Sequence, residues 1–388
     1  MKQNEIITIS GTDYVRMTIR LLRTADLAEK IRQKTQGKEA PLIGIKPNLV
    51  TPSPAQFGAT THPEIVEGIL LYLKEQGFHN LLILEGSWVG DQTAQAFEYC
   101  GYQRLSEQYE VPLFDTQKDT SFPVRCSDSM KDLTLHLCSC VSRIDFLINV
   151  PVLKGHCQTR MTCALKNMKG LIPNSEKRRF HSLGLHRPIA ALNSCIRQDF
   201  IVVDHICGDP DFEEGGNPLI RNRIFVSEDP VLTDAYACRE LEIVPTEVEY
   251  LMLSQSLGIG SCDLNEALIT ALSDPAEEDK SQTPLPALMH KSLRLNYATE
   301  ELESCSACYS CLTQALNRLD EEGLLRILTD KMHCRFCIGQ GYRGQSCKDQ
   351  AFIGIGNCTR SFQKNIPGCP PSEDDIYNFL KSFISASC

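Results

Sequence analysis

The cysteines near the C-terminus are the residues with the clearest chemical signature. Nine of the 19 cysteines follow residue 300, and Cys305, Cys308 and Cys311 form a CxxCxxC motif. This spacing predicts a tight loop with three thiolates, which would hold several corners of a cubane iron–sulfur cluster while a distant cysteine closes the last one. Cys369 is followed by two prolines, whose fixed φ and missing N–H direct the chain away from a cluster. The pattern favours an iron–sulfur centre.

Two alternatives to an iron–sulfur centre stay open. A zinc site would use two CxxC pairs, Cys308 with Cys311 and Cys334 with Cys337, which 22 residues separate. A zinc site leaves the glycine-rich segments GIGNC at 354–358 and GCPP at 368–371 without a role. In a cluster site, glycines let the backbone approach closely and direct its amides at sulfide. The other alternative is thiols without a metal. A disulfide scaffold is disfavoured, because the chain is long and its first residues do not have the pattern of a secretion signal.

A basic segment interrupts an otherwise acidic chain. The net charge is −10, yet residues 151–187 contain eight lysines and arginines against one acidic residue. The plain interpretation is a solvated basic face, and the functional one is a site for a phosphate or carboxylate. The basic residues are Lys154, Arg160, Lys166, Lys169, Lys177, Arg178, Arg179 and Arg187.

The position of this segment favours the anion site. Lys154 and His156 follow a predicted strand, at the edge where open α/β sheets bind ligands. Lys166 and Lys169 share a helix face. A desolvated lysine has a lowered pKa and histidine titrates near neutrality, so these four side chains are the predicted catalytic proton carriers. The predicted substrate-binding residues are Lys46, Asn48, Glu85, Ser87, Thr162, Asn167, Asp204, Glu214 and Asn217.

The acidic residues of this set have two possible roles. Asp204 ends an apolar run, and Glu213 and Glu214 follow in a glycine-rich stretch. We expect them to pair with the basic segment across a crevice. The alternative roles are general base and ligand of a divalent cation.

Short apolar runs alternate with helical patterns over the first 275 residues. PLIGIKPNLV, NLLILEG, VPLFDT, RIDFLINVPVL and FIVVDHI are typical of buried strands. THPEIVEGILLYLKEQGF predicts a helix that Thr61 caps, with Glu64 completing a capping box, and RMTCALKNMKGLI and RPIAALNSCIRQD predict two more helices. The alternation indicates the α/β class, with a mostly parallel sheet flanked by helices.

An acidic, proline-containing stretch at residues 274–284 is the predicted linker. It divides an α/β domain with a basic substrate crevice, residues 1–280, from a smaller, irregular, cysteine-rich iron–sulfur domain, residues 281–388. The net charge argues against binding to nucleic acid or to an anionic membrane. No apolar run approaches the roughly 20 residues that span a bilayer, so we expect a cytoplasmic protein.

Several motifs in a fixed order give the chain a family resemblance. KPNLV at 46–50, THPEIVEGI at 61–69, NVPVLKGH at 149–156, TCALKNMKGL at 162–171, EEGGNP at 213–218 and EDPVLTDA at 228–235 precede the GIGNC and GCPP segments. In this the sequence resembles the domain-of-unknown-function family numbered 362, over most of the chain. The resemblance implies an iron–sulfur centre, a single 4Fe–4S cube whose ligands would be Cys305, Cys308, Cys358 and Cys369.

The resemblance leaves several cysteines of the tail unassigned. Cys311 is then an alternative ligand on the same segment as Cys305 and Cys308. Cys334, Cys337 and Cys347 are either buried thiols or the ligands of a second or larger cluster.

The cluster and the crevice together predict an oxygen-sensitive, iron–sulfur-dependent oxidoreductase. It would pass electrons between a 4Fe–4S cluster and a small anionic substrate, with a ferredoxin-like protein as electron donor. One alternative is a non-redox lyase or isomerase with a structural or Lewis-acid cluster, and another is an electron-transfer partner protein. Nicotinamide and ATP lack their glycine-rich motifs here, whereas flavin stays open because its motifs are diverse.

Overall fold

The computed structural model describes residues 1–2, 4–126, 130, 132–272 and 295–387. The chain divides into two compact units, the first made of residues 1–155 and 159–285 and the second of residues 156–158 and 286–388. The predicted linker at 274–284 lies outside the described residues. The predicted boundary at residue 280 therefore stays a prediction.

The first unit is built on an eight-stranded sheet with the spatial order β12-β1-β11-β10-β7-β2-β3-β4. Adjacent strands are parallel except at β11, which runs antiparallel to both of its neighbours. The strands up to residue 272 are β1 (Glu5–Ser10), β2 (Ile43–Pro47), β3 (Leu81–Glu85), β4 (Leu113–Asp115), β5 (Ser121–Arg125), β6 (Thr134–Cys138), β7 (Phe146–Val150), β8 (Lys154–His156), β9 (Arg160–Thr162), β10 (Phe200–His205), β11 (Arg223–Ser227) and β12 (Leu268–Leu272).

Helices cover both faces of this sheet. Ile201 and Val203 of β10 belong to one apolar cluster, whereas Phe200 and Val202 belong to the other, as the two-residue period of a strand requires. Both faces are buried, so the central strands are continuous apolar runs. The helices are α1 (Tyr14–Thr24), α2 (Leu27–Lys34), α3 (Pro63–Glu75), α4 (Thr93–Tyr99), α5 (Tyr102–Tyr109), α6 (Ala164–Asn167), α7 (Asn174–Ser182), α8 (His186–Cys195), α9 (Pro230–Glu240) and α10 (Glu249–Ser256).

Two helix starts differ from the sequence prediction. Helix α3 begins at Pro63 after His62, and the Thr61 hydroxyl does not cap it. The hydroxyl instead accepts from the Asn48 N–H and donates to the Val150 carbonyl, each at 2.8 Å. The segment predicted as a helix from residue 160 starts as strand β9, and only α6 and the 3₁₀ turn after it are helical.

The second unit contains a four-stranded parallel sheet in the order β13-β14-β15-β16. Its strands are β13 (Thr299–Glu301), β14 (Arg335–Ile338), β15 (Phe352–Ile355) and β16 (Asn365–Ile366), and its helices are α11 (Ser306–Glu321) and α12 (Glu373–Ser387). This part of the chain is therefore more regular than the irregular domain that the sequence predicts.

The CxxCxxC motif does not form the predicted loop. Cys305 precedes helix α11, and Cys308 and Cys311 lie in its first two turns. The reason is the apolar period that follows, because Leu312, Leu316 and other side chains at helical spacing are buried in the core of this unit.

Candidate active site and candidate cluster site

A buried ion pair lies where strands β2 and β3 end. The Lys46 Nζ donates to both Glu85 carboxylate oxygens at 3.0 and 2.9 Å, and also to the Pro47 carbonyl at 3.1 Å. Lys46 is 0% exposed. Burial lowers the pKa of Lys46, while the Glu85 charge acts in the opposite direction. The carboxylate is thus the partner that makes a buried ammonium tolerable.

Short helix α6 carries an amide into this centre. The Asn167 side chain accepts from the Lys46 Nζ at 3.3 Å and from the Asn48 amide at 2.9 Å. Its own amide donates to the Asn149 side chain at 2.7 Å. Gly170 completes the packing, because a Cβ there would lie 1.9 Å from the Glu85 Oε1. No side chain fits at that position.

Lys154 continues the network toward the loop after β10. Its Nζ donates to the Ala59 carbonyl at 2.6 Å, the Glu213 carbonyl at 2.7 Å and the Asn48 Oδ1 at 3.1 Å. The residue is 0% exposed. Burial is the main cause that lowers the pKa of Lys154 to about 8, and the Lys166 charge lowers it further. An amine with this pKa can exchange protons near neutrality.

Lys166 completes the set. Its Nζ donates to the Glu213 Oε1 at 2.5 Å and to the Thr162 hydroxyl at 3.0 Å. Hydrogen bonds therefore connect these residues from Glu85 at the end of β3 to Thr162 at the end of β9, and Glu213 joins Lys154 through its main-chain carbonyl and Lys166 through its carboxylate. We name this set of side chains the lysine network: Lys46, Asn48, Glu85, Lys154, Thr162, Lys166, Asn167 and Glu213.

Ser87, Lys169, Glu214 and Asn217 are further predicted site residues of the first unit that the lysine network, as defined, does not include. The Ser87 hydroxyl donates to the Leu49 carbonyl at 2.7 Å. Lys169 and Glu214 are half-buried, and Asn217 is exposed. The negative charge of Glu214 nevertheless raises the pKa of Lys154.

His156, the remaining predicted catalytic residue, belongs to the second unit. It is buried, and its Nδ1 accepts from the Gln158 N–H at 3.1 Å.

The basic segment forms no single face. Arg160 pairs with Glu247 at 2.8 Å and Arg187 with Asp132 at 2.6 Å. Lys177 is buried and donates to the Gly86 and Ser87 carbonyls at 2.9 and 2.8 Å. Burial lowers the pKa of Lys177 to about 8. Sequence reasoning counted Lys177 only as one charge of the segment.

Asp204 does not pair with the basic segment, contrary to expectation. Its Oδ2 lies 2.8 Å from the His62 Nδ1 and accepts from the His62 N–H at the same distance. The other ring nitrogen of His62, Nε2, lies 3.6 Å from the Cys207 Sγ. Sequence reasoning missed His62 and Cys207. A histidine directly before the proline that starts helix α3 was the available signal.

In the second unit, cysteines from separate segments come together. Burial raises the pKa of the Cys308 thiol, and the neighbouring thiols of Cys305, Cys369, Cys311 and Cys358 raise it further. Burial also raises the pKa of Cys305, and Cys358 and Cys369 add to the effect. Cys358 and Cys369 are thus within electrostatic range of Cys305 and Cys308. We name Cys305, Cys308, Cys358 and Cys369 the thiol set.

Glycines and polar side chains surround the thiol set. Gly356 has a φ of +84°, and a Cβ there would lie 3.8 Å from the Cys308 Sγ. Gly368, with a φ of +145°, would place a Cβ 2.3 Å from the Pro371 Cα. The Gln340 Nε2 donates to the Cys305 Sγ at 3.5 Å. A hydrogen bond to the Cys358 thiol raises the pKa of Arg343.

Cys337 and Cys334 have neighbours other than the thiol set. Burial raises the pKa of Cys337 to about 11, and its neighbours are Tyr342, Glu300 and Cys347. Cys334 has Lys364 and Arg335 as its charged neighbours. The two CxxC pairs of the zinc alternative are thus not brought together by these contacts. Within the described residues, no three His, Cys, Asp or Glu side chains could hold a metal ion as they stand.

These features define a class: an α/β protein with a buried lysine network at the carboxyl edge of a mostly parallel sheet and a second, cysteine-rich unit. Residues 43–239, about half of the chain, match the family described as Domain of unknown function (DUF362), and the chain belongs to this family.

Two individual proteins show weaker similarity to the chain. The chain is 23% identical over 264 residues to the thylakoid-associated protein sll1697 of Synechocystis sp. (strain ATCC 27184 / PCC 6803 / Kazusa), a match that covers 63% of this chain and 76% of that protein. Among solved structures, the lactate racemase apoprotein from Thermoanaerobacterium thermosaccharolyticum matches with a TM-score of 0.39 and 14% identity, over 62% of this chain. The chain spans 57% of the length of that protein.

The helices also bear on membrane insertion. In the part of the chain that the structure describes, none is both long and apolar enough to cross a bilayer. The cytoplasmic location stays a prediction.

Proposed function

We propose that this chain is an iron–sulfur-dependent oxidoreductase. Cys305, Cys308, Cys358 and Cys369 would hold one 4Fe–4S cluster, and the lysine network would supply protons to a small anionic substrate. The observation that carries the proposal is the thiol set, in which Cys358 and Cys369, from two separate segments, both raise the pKa values of Cys305 and Cys308. A ferredoxin-like protein is the proposed electron donor.

The residues around the thiol set suit a cluster. Four thiols are the ligand number of a 4Fe–4S cube, in which each thiolate binds a different iron. Gly356 places no side chain beside the Cys308 Sγ, and Gly368 allows the close approach of Pro371 to the backbone next to Cys369. The Gln340 amide and the Arg343 guanidinium can donate to ligand sulfur, and such donors tune a metal centre. When bound, the cluster would accept and release single electrons.

The lysine network would provide the protons for such a reduction. Burial lowers the pKa of Lys154 to about 8, so that its ammonium can release a proton near neutral pH. Lys166 and Lys154 would also attract a carboxylate or phosphate. Because Glu213 contacts both lysines, we expect an incoming anion to compete with its carboxylate for Lys166.

Metal analysis of the full chain tests the cluster. Anaerobically purified protein should contain about four irons and four sulfides per chain, with an EPR signal that appears after reduction with dithionite. About eight irons would instead assign a role to Cys334, Cys337 and Cys347. Zinc in place of iron, or protein that remains iron-free after anaerobic reconstitution with iron and sulfide, would contradict the proposal.

A second candidate is a non-redox isomerase or lyase. The observation that favours it is the lysine network itself, because Lys154 can exchange protons near neutrality without any electron transfer. A panel of small 2-hydroxy, 2-oxo and unsaturated carboxylates separates the two candidates. If the chain is an oxidoreductase, one of these compounds would accept the electron of the dithionite-reduced protein. The protein would then be reoxidised, and its EPR signal would disappear. An isomerase or lyase would incorporate deuterium from D₂O into one of them while the signal stays unchanged.

A further inference from the structure

Three side chains of the first unit form a relay that the lysine network does not include. Asp204 lies near the end of β10, Cys207 follows it three residues later, and His62 immediately precedes helix α3. The Asp204 Oδ2 lies 2.8 Å from the His62 Nδ1, and the His62 Nε2 lies 3.6 Å from the Cys207 Sγ. Nucleophilic enzymes place a nucleophile, a base and an orienting carboxylate in this order.

The backbone holds this relay in one geometry. The Asp204 carboxylate accepts from the His62 N–H at 2.8 Å and from the Ile206 N–H at 3.0 Å. Pro63 fixes the chain directly after the histidine, and the Tyr14 ring packs edge-on against the imidazole with the centroids 5.7 Å apart. The imidazole is therefore fixed by contacts on several sides, as an oriented catalytic base requires.

The charges within the relay favour a protonated imidazole. Burial alone would lower the pKa of His62, but the Asp204 carboxylate and the Cys207 sulfur outweigh it and raise the pKa to about 10. The same contact lowers the pKa of Asp204, against the effect of its burial. The Asp204 charge also adds to the raised pKa of Tyr102 and opposes the lowering of the His205 pKa by burial. An imidazolium beside a sulfur stabilises the thiolate, which is the reactive form of cysteine.

We propose that Cys207 is a nucleophilic catalytic thiol, with His62 as its acid–base partner and Asp204 as a positioning residue, and that its substrate is a small ester or thioester. The thiolate sulfur attacks the acyl carbon and a C–S bond forms. The bond to the leaving group breaks with its electron pair, and the His62 Nε2 proton goes to that group. Water then hydrolyses the enzyme thioester, which restores the thiolate and the imidazolium.

This inference is separate from the proposed redox function, because it uses neither the thiol set nor an electron. Cys207 is 6% exposed, which restricts the substrate to a small molecule. The alternative is a thiol that only fills space in the core. Cys100 is the matched control, because it is 4% exposed and its Sγ lies 3.2 Å from the Ser53 carbonyl, much as the Cys207 Sγ lies 3.4 Å from the Ala55 carbonyl.

Alkylation and acylation of the full chain test the proposal. Isotope-coded iodoacetamide, followed by peptide mass spectrometry, gives the rate at each cysteine. Cys207 should react at least tenfold faster than Cys100, and His62→Gln should remove that advantage. With p-nitrophenyl acetate, the acetyl group should be found on Cys207, and Cys207→Ser should abolish it while Cys100→Ser leaves it intact.

The role of Asp204 has its own measurement. Asp204→Asn removes the charge that raises the His62 pKa, so the midpoint of the pH profile for Cys207 alkylation should move to higher pH. Asp204→Glu should restore part of the shift. A Cys207 that reacts no faster than Cys100 in folded protein would overturn the proposal. A rate that His62→Gln leaves unchanged, or an absence of acetyl-Cys207, would overturn it as well.

Discussion

The lysine network of the first unit, which is mostly buried, and the thiol set of the second unit, which is partly buried with Cys369 exposed, arrange ionisable groups in opposite ways. In the lysine network each ammonium donates to carboxylate or carbonyl oxygens, as Lys46 does to Glu85. In the thiol set like groups lie together, and Cys358 and Cys369 raise the pKa values of Cys305 and Cys308. A paired network supports the fold by itself, whereas thiols gain most when a metal centre deprotonates them. The first arrangement stabilises a structure, and the second is a donor set that gains from binding.

Substitution of a cysteine on helix α11 should give the largest effect and tests the second half of this comparison. We expect Cys308→Ser to reduce the iron content of anaerobically purified protein from about four atoms per chain to less than one. Cys311→Ser is the matched control, because it lies one turn further along the same helix. It should keep the iron.

Circular dichroism would confirm that both variants fold. Equal iron loss in the two variants would assign Cys311 to the site, and iron retained in Cys308→Ser would remove Cys308 from it.

Loss of the Glu85 charge should give the largest effect on stability. Glu85→Gln leaves the Lys46 ammonium buried without a carboxylate, and removing one partner of a buried ion pair costs about 3–5 kcal/mol. Urea unfolding measures the loss in the free energy of unfolding. Hydrogen exchange of the β2 and β3 peptides shows where in the structure the loss occurs. Glu75→Gln is the control, because its pair with Arg23 is exposed and should contribute at most about 1 kcal/mol. Similar costs for the two variants would show that Lys46 does not depend on Glu85.

The sequence contained the strand ends but not the pairing between them. Lys46 and Glu85 each end an apolar run, so parallel strands had to bring them to one edge. That the two side chains neutralise each other depends on their reach across neighbouring strands, which no spacing encodes. The same limit explains Cys207 and His62. The two residues are 145 positions apart, and a lone buried cysteine or histidine has many structural roles.

Helix α11 is a case in which the sequence pattern predicted the wrong local structure. The cysteine spacing suggested a loop, but the same residues also carry a helical apolar period that buries Leu312 and Leu316. Positions three apart on a helix lie on one side, so Cys305, Cys308 and Cys311 satisfy both patterns. Packing decided between the patterns, because the apolar face of the helix contributes to the core of the second unit.

Substitution of Thr61 should have an intermediate effect on the free energy of unfolding. It tests whether this residue connects strands of the first unit or caps helix α3. Thr61→Val leaves the Asn48 N–H and the Val150 carbonyl without the hydroxyl between them, and unsatisfied buried groups cost about 1–3 kcal/mol each. Urea unfolding measures the loss. Thr24→Val is the control, since the Thr24 hydroxyl bonds only to the Arg20 carbonyl of its own helix, near the surface. If Thr61 capped helix α3 as its sequence pattern suggests, the loss would be accompanied by faster exchange in the first turn of α3, with β2 and β7 unaffected.

The smallest effect should be a change in the pH dependence of stability. It tests whether protonation of the buried Lys154 amine destabilises the folded protein. The pKa of Lys154 is about 8 in the folded protein and 10.5 as its ordinary value. Between these values the folded chain has released a proton that the unfolded chain still holds, so this residue makes stability rise with pH in that window. Relative to Lys154→Met, the wild type should gain about 1 kcal/mol per pH unit between pH 8 and 10.

The comparison with Lys154→Met isolates this residue, because cysteine thiols that become exposed on unfolding contribute equally to the pH dependence of both proteins and cancel in the difference. Lys118→Met, whose side chain is 75% exposed, should run parallel to the wild type. A difference between wild type and Lys154→Met that stays constant from pH 8 to 10 would mean that Lys154 keeps its ordinary pKa. The carbonyl oxygens and Glu213 would then compensate its burial fully, and Lys154 could not serve as the proton carrier near neutral pH.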